Sequence, residues 1–286
     1  MTTSQSPDRV PPIEDWDHLL AGRVAVVTGG GAGIGGAISR LFARHGAHVE
    51  VAEIDPERAE SAVADITEAG GSARAHVVDV TDTDDVTRLA EAVLTQHPHV
   101  QVLVNNVGDY RPLVRFRRSS PETWDELYRK NLFHVFAVTH AFLESMIGGG
   151  GGSIVNLHSV EGMRGYPGDP VYGSMKAAVA KFTTDMAVQM GRHGVRVNGI
   201  GTDLTQTPQV DYLTGYEEHD HLWESWAPVG RLGWPEDNAR VALFLASDLS
   251  SFVTGHNVPV DGGTRAGGGW FFSAQEGRFV NRPKGI

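Results

Sequence analysis

The sequence predicts a single α/β domain with a doubly wound parallel sheet and helices on both faces. Short β-branched runs alternate with helical stretches of ten or more residues, which is the pattern of βαβ units. The apolar runs are nearly continuous, as expected for strands buried on both faces. The 286 residues contain no internal repeat and no dividing linker, and they are enough for one large core.

The elements follow in regular alternation. Strands are predicted at residues 24–27, 48–53, 73–80, 101–106, 153–159 and 195–200. Helices are predicted near residues 35–45, 56–69, 84–96, 121–146, 170–192 and 235–246. The strand–helix unit occurs six times. The carboxyl ends of all strands therefore lie at one edge of the sheet, where ligands bind in such folds.

Composition excludes several classes of function. The net charge of −11 disfavours binding to nucleic acid or to an anionic membrane. No apolar stretch reaches eighteen residues and no secretory signal pattern begins the chain, so we expect a cytoplasmic protein. Because cysteine is absent, a disulfide framework, a thiolate nucleophile and a zinc–cysteine site are all excluded.

Three segments stand apart from the alternation. Residues 1–19 are expected to form a flexible leader, and the glycine- and aromatic-rich residues 266–286 a tail that is not obviously helical. Residues 205–230 are long and poorly periodic, and they follow a strand end, which is typical of a substrate lid. The lid contains the aromatic residues Tyr212, Tyr216, Trp223 and Trp226.

A glycine run, TGGGAGIG, follows the first strand. One G-x-G-x-x-G register uses Gly31, Gly33 and Gly36, but the first glycine should occupy the turn that ends the strand. That requirement favours Gly29, Gly33 and Gly35. Glycines there let backbone N–H groups approach a pyrophosphate at the positive end of the next helix. The run therefore predicts a dinucleotide site in a Rossmann-type domain.

The second predicted strand ends at Glu53. A carboxylate at this point accepts hydrogen bonds from the adenosine ribose hydroxyls and repels a 2′-phosphate. No Arg or Lys lies in residues 28–36. The sequence therefore favours NAD over NADP.

A second constellation lies further along the chain. Tyr172 and Lys176 are four residues apart and share one face of a helix that begins after Asp169 and Pro170. Ser159 ends the preceding strand, thirteen residues before Tyr172. All three side chains should meet at the ligand-binding edge of the sheet.

Together these motifs resemble the short-chain dehydrogenase/reductase family over about residues 20–264, and a catalytic domain at 20–265 follows from that resemblance. The resemblance implies a catalytic tetrad of Asn131, Ser159, Tyr172 and Lys176, with Asn131 holding a water that relays the proton. Lys176 and Tyr172 would also touch the cofactor. It implies further cofactor contacts from Gly29, Gly31, Gly33, Ile34, Gly35, Glu53, Ile54, Asp79, Val80, Asn105, Val107, Gly108, Thr202 and Thr207.

One loop departs from the family pattern. Thr202 and Asp203 stand where the family usually has a Pro-Gly pair beside the nicotinamide, which puts the nicotinamide contacts of this loop in doubt. The resemblance also implies a homo-oligomer, a tetramer or dimer, packed through the helices that carry Asn131 and Tyr172.

The expected chemistry is the interconversion of a secondary alcohol and its ketone, with Tyr172 as general acid/base. A phenol titrates near pH 10, so we expect the Lys176 ammonium, assisted by the positive nicotinamide ring of NAD⁺, to lower the pKa of Tyr172 by about three units. Ser159 would stabilise charge developing on the substrate oxygen. An alternative function outside the enzymes is a non-catalytic NAD(H)-binding sensor or assembly subunit. The complete tetrad argues against it.

The aromatic lid favours a hydrophobic, terpenoid-like or steroid-like cyclic substrate, in contact with His158, Tyr212, Trp223 and Trp226. The alternative is a 3-oxoacyl-thioester reductase, acting on acyl carrier protein or CoA. Such a reductase usually prefers NADPH, which Glu53 opposes. The basic residues 111–118 lie beside the expected site and are able to attract an anionic substrate, but the pattern favours a solvated or intersubunit face. The segments His97–His99 and His219–His221 lack companions at metal-ligand spacing, so no metal site is predicted.

Overall fold

The computed structural model describes residues 13, 15–210, 225–269, 271–273 and 275–280. Seven strands form one parallel sheet in the order β3-β2-β1-β4-β5-β6-β7. They are β1 (Val24–Thr28), β2 (His48–Glu53), β3 (Ser72–Val77), β4 (Val102–Asn105), β5 (Gly152–Ser159), β6 (Val195–Thr202) and β7 (Asn257–Val260). The strand order reverses direction between β1 and β4, which places the ligand crevice at their carboxyl ends.

Helices cover both faces of the sheet. They are α1 (Gly33–Arg44), α2 (Pro56–Glu68), α3 (Thr83–Gln96), α4 (Pro121–Tyr128), α5 (His134–Gly148), α6 (Pro170–Met190), α7 (Pro235–Ala246) and the short α8 (Thr264–Gly267). A five-residue π-helical segment, Arg129–Phe133, joins α4 directly to α5. No helix among the described residues is long and apolar enough to cross a membrane.

Two apolar layers hold the helices on the sheet. Alternate residues of each strand point to opposite faces, so Val27 packs with α1, α2 and α7 while its neighbour Val26 packs with α3, α5 and α6. Ile38 and Phe42 of α1 anchor the first layer, and Phe142 of α5 anchors the second. The predicted doubly wound fold is confirmed.

The predicted element boundaries are close to the observed ones, with two informative differences. β3 ends at Val77 rather than at residue 80, because its one neighbour β2 ends at Glu53, opposite Val77. The single helix predicted over 121–146 is interrupted by the π segment, which hydrophobic periodicity does not reveal. In the tail, β8 (Phe271–Ser273) and β9 (Arg278–Val280) form an antiparallel pair that was not predicted.

Replacing Phe142 with Ala tests the second apolar layer. Phe142 is fully buried between α5 and the sheet, so we expect a loss of about 3–5 kcal/mol in the free energy of unfolding. Phe252→Ala is the matched control, because Phe252 is fully exposed and its loss should change stability little. Denaturant titration measures both, and equal effects of the two changes would contradict this packing.

Candidate active site

The glycine loop after β1 forms a cradle with no room for side chains. Gly29 and Gly33 have φ values of 60° and 54°, which L-residues with a Cβ rarely adopt. A Cβ on Gly35 would overlap the Gly29 carbonyl oxygen, and one on Gly31 would lie 2.9 Å from Cγ of Glu53. The chain therefore presents backbone rather than side chains to whatever occupies the crevice.

The amino terminus of α1 differs from those of its neighbours. The carboxylates of Asp55, Asp82 and Asp169 each accept two backbone N–H groups at the starts of α2, α3 and α6. At α1 the capping position is Ala32, which provides no side-chain cap, and no acidic residue lies in the first turn. Uncapped amides at the positive end of a helix, within a glycine cradle, suit a phosphate group.

Glu53 ties the end of β2 to this cradle. One carboxylate oxygen accepts the backbone N–H of Gly31 at 3.2 Å, and the other accepts that of Ile54 at 3.0 Å. The carboxylate is thus fixed beside the glycine loop, at the crevice edge where a ribose would lie. Ile54, next in the chain, is largely exposed.

Thr207 forms the opposite wall of the crevice. A Cβ on Gly33 would come within 3.4 Å of the Thr207 side chain, so the loop after β6 faces the glycine loop. Gln209, which the sequence analysis did not single out, donates from its amide to the Gly108 carbonyl at 3.0 Å. That bond joins the first residues of the lid to the end of β4.

Asn105 differs from its prediction, because its side chain does not reach the crevice. It is fully buried, and its amide donates to Thr139 Oγ1 at 3.0 Å and to Asn156 Oδ1 at 2.8 Å. Asn106 takes the crevice position instead, since its amide donates to the Thr28 carbonyl at 3.0 Å and lies against Gly29. Strand alternation places two adjacent residues on opposite faces, so the NNVG motif alone did not reveal which asparagine faces the site.

Other predicted cofactor residues lie at strand ends along the same edge. Val80 is buried, and the Asp79 carboxylate accepts both the backbone N–H and the hydroxyl of Thr81, at 2.9 and 2.8 Å. The Thr202 hydroxyl donates to the His158 carbonyl at 3.2 Å. Val107 lies against Gly29, because a Cβ built on Gly29 would be 3.2 Å from Cγ2 of Val107. Ile34 packs against the apolar layer beneath α1.

Asp203 belongs to a small ionic cluster. Its carboxylate forms an ion pair with the Arg164 guanidinium at 3.3 Å and accepts a hydrogen bond from the Thr264 hydroxyl. Arg164 also forms an ion pair with Glu161 at 2.6 Å. The residue that replaces glycine in the family pattern thus fastens the end of β6 to α8 and to the segment after β5.

Ser159, Tyr172 and Lys176 come together at the ends of β5 and α6. The Ser159 hydroxyl donates to the Thr202 carbonyl at 3.3 Å and is near enough to Tyr172 to influence the pKa of its phenol, and the Lys176 Nζ lies 5.7 Å from the centre of the Tyr172 ring. Burial lowers the pKa of Lys176 to about 8, although the charge of Asp109 opposes this shift. The ammonium is therefore still mostly charged at neutral pH.

The expected lowering of the Tyr172 pKa is wrong for the protein alone. Burial raises the pKa of this phenol well above its ordinary value, and the neighbouring Ser159 hydroxyl offsets only part of the rise. The negative charges of Glu161 and Asp109 oppose ionisation further. Additional positive charge is required at this site before the phenol can act as a base near pH 7.

Asn131 and Lys176 meet at Gly108. A Cβ on Gly108 would overlap Lys176 Nζ and would lie 3.2 Å from Asn131 Oδ1. The Asn131 amide donates to the carbonyls of Asp109 and Leu127 at 2.7 and 3.0 Å, and its oxygen accepts the Asp109 N–H at 3.1 Å. The side chain therefore positions the loop after β4, and the proton relay expected of it stays a prediction.

The predicted substrate contacts are only partly described. His158 is 2% exposed and packs on Gly199 and Gly201 of β6, so it lies within the sheet rather than in the crevice, which corrects its assignment as a substrate contact. Trp226 is 41% exposed and lines a cleft with Leu204 and Gly262. Tyr212, Tyr216 and Trp223 lie outside the described residues.

A dinucleotide fits this arrangement. The crevice offers a side-chain-free cradle, an uncapped helix start, a fixed carboxylate and a facing threonine, all at the switch point of the sheet. A hydroxyl, a phenol and an ammonium stand at its far end. Such a set is able to hold a carbonyl or carbinol oxygen and to move one proton.

Comparison with known proteins agrees with this geometry. The protein-family model described as enoyl-(acyl carrier protein) reductase matches residues 29–265. A 3-oxoacyl-(acyl-carrier-protein) reductase of Chlamydia muridarum is 37% identical over 248 residues, which is 86% of this chain and 99% of that protein. The corresponding reductase of Thermotoga maritima is 38% identical over 244 residues, 85% of this chain and 98% of its own.

Solved structures show the same fold. A 7α-hydroxysteroid dehydrogenase complexed with NADH and 7-oxo glycochenodeoxycholic acid superposes with a TM-score of 0.81 at 33% identity, covering 87% of this chain and 97% of that one. A short-chain type dehydrogenase/reductase from Mycobacterium ulcerans superposes with a TM-score of 0.81 at 30% identity, covering 86% of this chain and 91% of that one. The chain is an oxidoreductase and belongs to the short-chain dehydrogenase/reductase family.

Proposed function

We propose that the protein interconverts a secondary alcohol and its ketone with NAD(H), using Tyr172 as general acid/base. The observation that carries this proposal is the junction of Ser159, Tyr172 and Lys176 at one end of the glycine-lined crevice. A protein that merely senses NAD(H) has no physical need for a buried ammonium beside a half-buried phenol. The non-catalytic alternative is therefore disfavoured.

Residues of this chain supply the proton chemistry. When bound, the nicotinamide gives or takes the hydride, and its oxidised ring adds positive charge. Tyr172 takes the alcohol proton in oxidation and returns it in reduction, while Ser159 donates a hydrogen bond to the substrate oxygen. The Lys176 ammonium stabilises the phenolate form of Tyr172, which takes the proton in oxidation and is left after proton donation in reduction.

Glu53 supports NAD as the cofactor. Its carboxylate is held beside the glycine loop by three backbone N–H groups, from Gly31, Ile54 and Asp55. A fixed negative charge there accepts ribose hydroxyls and repels a 2′-phosphate.

For the substrate we propose a 3-oxoacyl thioester or the matching 3-hydroxyacyl thioester. Two relatives that match almost end to end are 3-oxoacyl-(acyl-carrier-protein) reductases. Arg115, Arg117 and Arg118 are exposed on the loop that follows Asp109 of the site, although the whole chain is acidic. Such a patch suits the phosphates of CoA or an acidic carrier protein.

A bulky cyclic alcohol is the second candidate. The aromatic lid favours it, and the hydroxysteroid dehydrogenase that superposes on this chain was solved with NADH and a steroid acid. The substrate panel described below separates the two classes.

We also propose that the protein is a homo-oligomer. An apolar groove between α3 and α5 is lined by Val86, Ala90, Leu94, Phe136 and Ala137. Phe136, 37% exposed, stands on the helix that continues from Asn131. A second copy of the chain would cover this surface.

The first test is a substrate panel with NAD⁺ or NADH. We expect 3-oxoacyl and 3-hydroxyacyl thioesters to be turned over faster than cyclic, steroid or linear alcohols, as measured by NADH absorbance.

Tyr172→Phe should lose at least about 10²-fold in turnover and keep its affinity for NADH. Tyr128→Phe on α4 serves as the control for the loss of a phenol. Unchanged turnover in Tyr172→Phe would overturn the mechanism, and preference for steroids would reverse the order of the two substrates.

Replacing Glu53 with Ser tests the cofactor. Because the change removes the negative charge facing the ribose, the ratio of kcat/KM for NADP to that for NAD should rise at least about tenfold. Glu57→Ser, in the first turn of α2, is the charge-matched control and should leave the ratio unchanged. A ratio that does not move in Glu53→Ser would contradict the assignment.

Lys176→Met tests whether a buried charge costs stability. The folded pKa of about 8 lies below the ordinary 10.5, so the unfolded chain binds this proton more tightly. The resulting penalty of roughly 3 kcal/mol is full below pH 8 and fades as pH rises towards 10.5. The variant should therefore be more stable than wild type at pH 7, by a margin that shrinks by pH 10, and should lose turnover.

The matched control is Lys181→Met on the same helix, where the lysine side chain is 71% exposed. It should alter stability little at either pH. Thermal and denaturant unfolding at pH 7 and pH 10 measure the difference. A Lys176→Met protein that is less stable than wild type at pH 7 would refute this account.

A further inference from the structure

A second cluster of polar side chains lies at the edge of the sheet opposite the candidate active site. His48 begins β2 and Glu50 follows two residues later, so both point to the same face of the strand. His97 directly follows α3, which packs on that face. The three residues bring two imidazoles and one carboxylate to one point, with their ligand atoms all within 4.8 Å of one another.

Glu50 is an unusual residue for its position. Its side chain has 0% exposure in a layer that is otherwise apolar, and buried carboxylates require a partner. His76 supplies one for Oε2, at 2.5 Å. Among the described residues, Oε1 has no hydrogen-bond partner, although the Nε2 atoms of His48 and His97 lie 3.3 and 3.2 Å from it.

The His48 imidazole is oriented by a neighbour. Its Nδ1 shares a hydrogen bond of 2.6 Å with Ser72 Oγ, which fixes the plane of the ring. Nε2 then lies 3.3 Å from Glu50 Oε1, and within the described part of the chain both atoms are buried without a hydrogen bond. When Ser72 accepts the Nδ1–H, the Nε2 lone pair is available to a cation placed between the two atoms.

The spacing matches a metal centre. Bonds of about 2.0–2.2 Å in a tetrahedral zinc site place adjacent ligand atoms about 3.3–3.5 Å apart. Glu50 Oε1 lies 3.3 Å from the His48 nitrogen and 3.2 Å from the His97 nitrogen, both close to this separation. Outer hydrogen bonds of Ser72 to His48 and of His76 to Glu50 supply the orienting shell that metal ligands usually have.

We propose that His48, Glu50 and His97 bind one Zn²⁺ ion at the amino-terminal edge of the sheet. The His48 and His97 side chains are about one quarter exposed, which leaves a fourth position open to water. The ion fastens β2 to the end of α3 and stands apart from the nicotinamide chemistry at the carboxyl edge. The sequence analysis predicted no metal because it sought companions of His97 nearby in the chain, whereas they lie 47 and 49 residues earlier.

The test uses the full chain, stripped with chelator and titrated with ZnCl₂ by calorimetry and with CoCl₂ by visible absorption. We expect one equivalent of zinc, a tetrahedral Co²⁺ spectrum and a zinc-dependent rise in the unfolding temperature. His97→Gln and His48→Gln should each weaken binding at least about 100-fold. His99→Gln, two residues from His97 and bonded to the Ser145 carbonyl, is the matched control and should bind as wild type does.

Several results would overturn the proposal. One is a wild-type protein that takes up less than half an equivalent at micromolar zinc, which would mean that the cluster holds only protons. Another is equal affinity in His97→Gln and His99→Gln, which would place the metal elsewhere. Circular dichroism confirms that each variant is folded. Because the cluster is remote from Tyr172, chelator should leave turnover unchanged, so this test is independent of the proposed reaction.

Discussion

The approach of α1 to the end of β1 is the constraint on which the site depends. Gly35 lies so close to the Gly29 carbonyl that any side chain on Gly35 would overlap the carbonyl oxygen. The Asn106 amide, just after β4, donates to the same oxygen. This packing fixes the start of α1 directly above the switch point between β1 and β4. The uncapped amides, the Glu53 carboxylate and the facing Thr207 are all placed relative to that contact.

Function and stability are opposed at the other end of the crevice. Lys176 and Tyr172 are enclosed where burial lowers the pKa of the amine and raises that of the phenol, so the charged forms of both are disfavoured. The fold tolerates this because two large apolar layers hold β5 and α6 in place. The same enclosure strengthens the influence of each charge on the other, since few waters screen it.

Sequence patterns predicted the elements well because parallel strands buried on both faces leave strong apolar runs. They placed Ser159, Tyr172 and Lys176 at one edge from strand ends and helical spacing alone. They did not distinguish Asn105 from Asn106, because strand phase within two adjacent asparagines depends on tertiary pairing. Nor did they reveal the ring of histidines around Glu50, whose members come from two strands and a helix end. Local patterns encode elements, whereas long-range meetings of side chains require the fold.

The π segment between α4 and α5 has a geometric consequence. Each residue of an α-helix turns the chain by about 100°, so one extra residue in a turn rotates everything beyond it by that angle. Asn131 faces the loop at Asp109 while Val138 and Phe142 face the sheet. In an uninterrupted α-helix, residues seven and eleven apart lie on one face, so Asn131 would point towards the sheet together with Val138 and Phe142. The π segment therefore lets one continuous helix place Asn131 against the loop after β4 and place Val138 and Phe142 against the sheet.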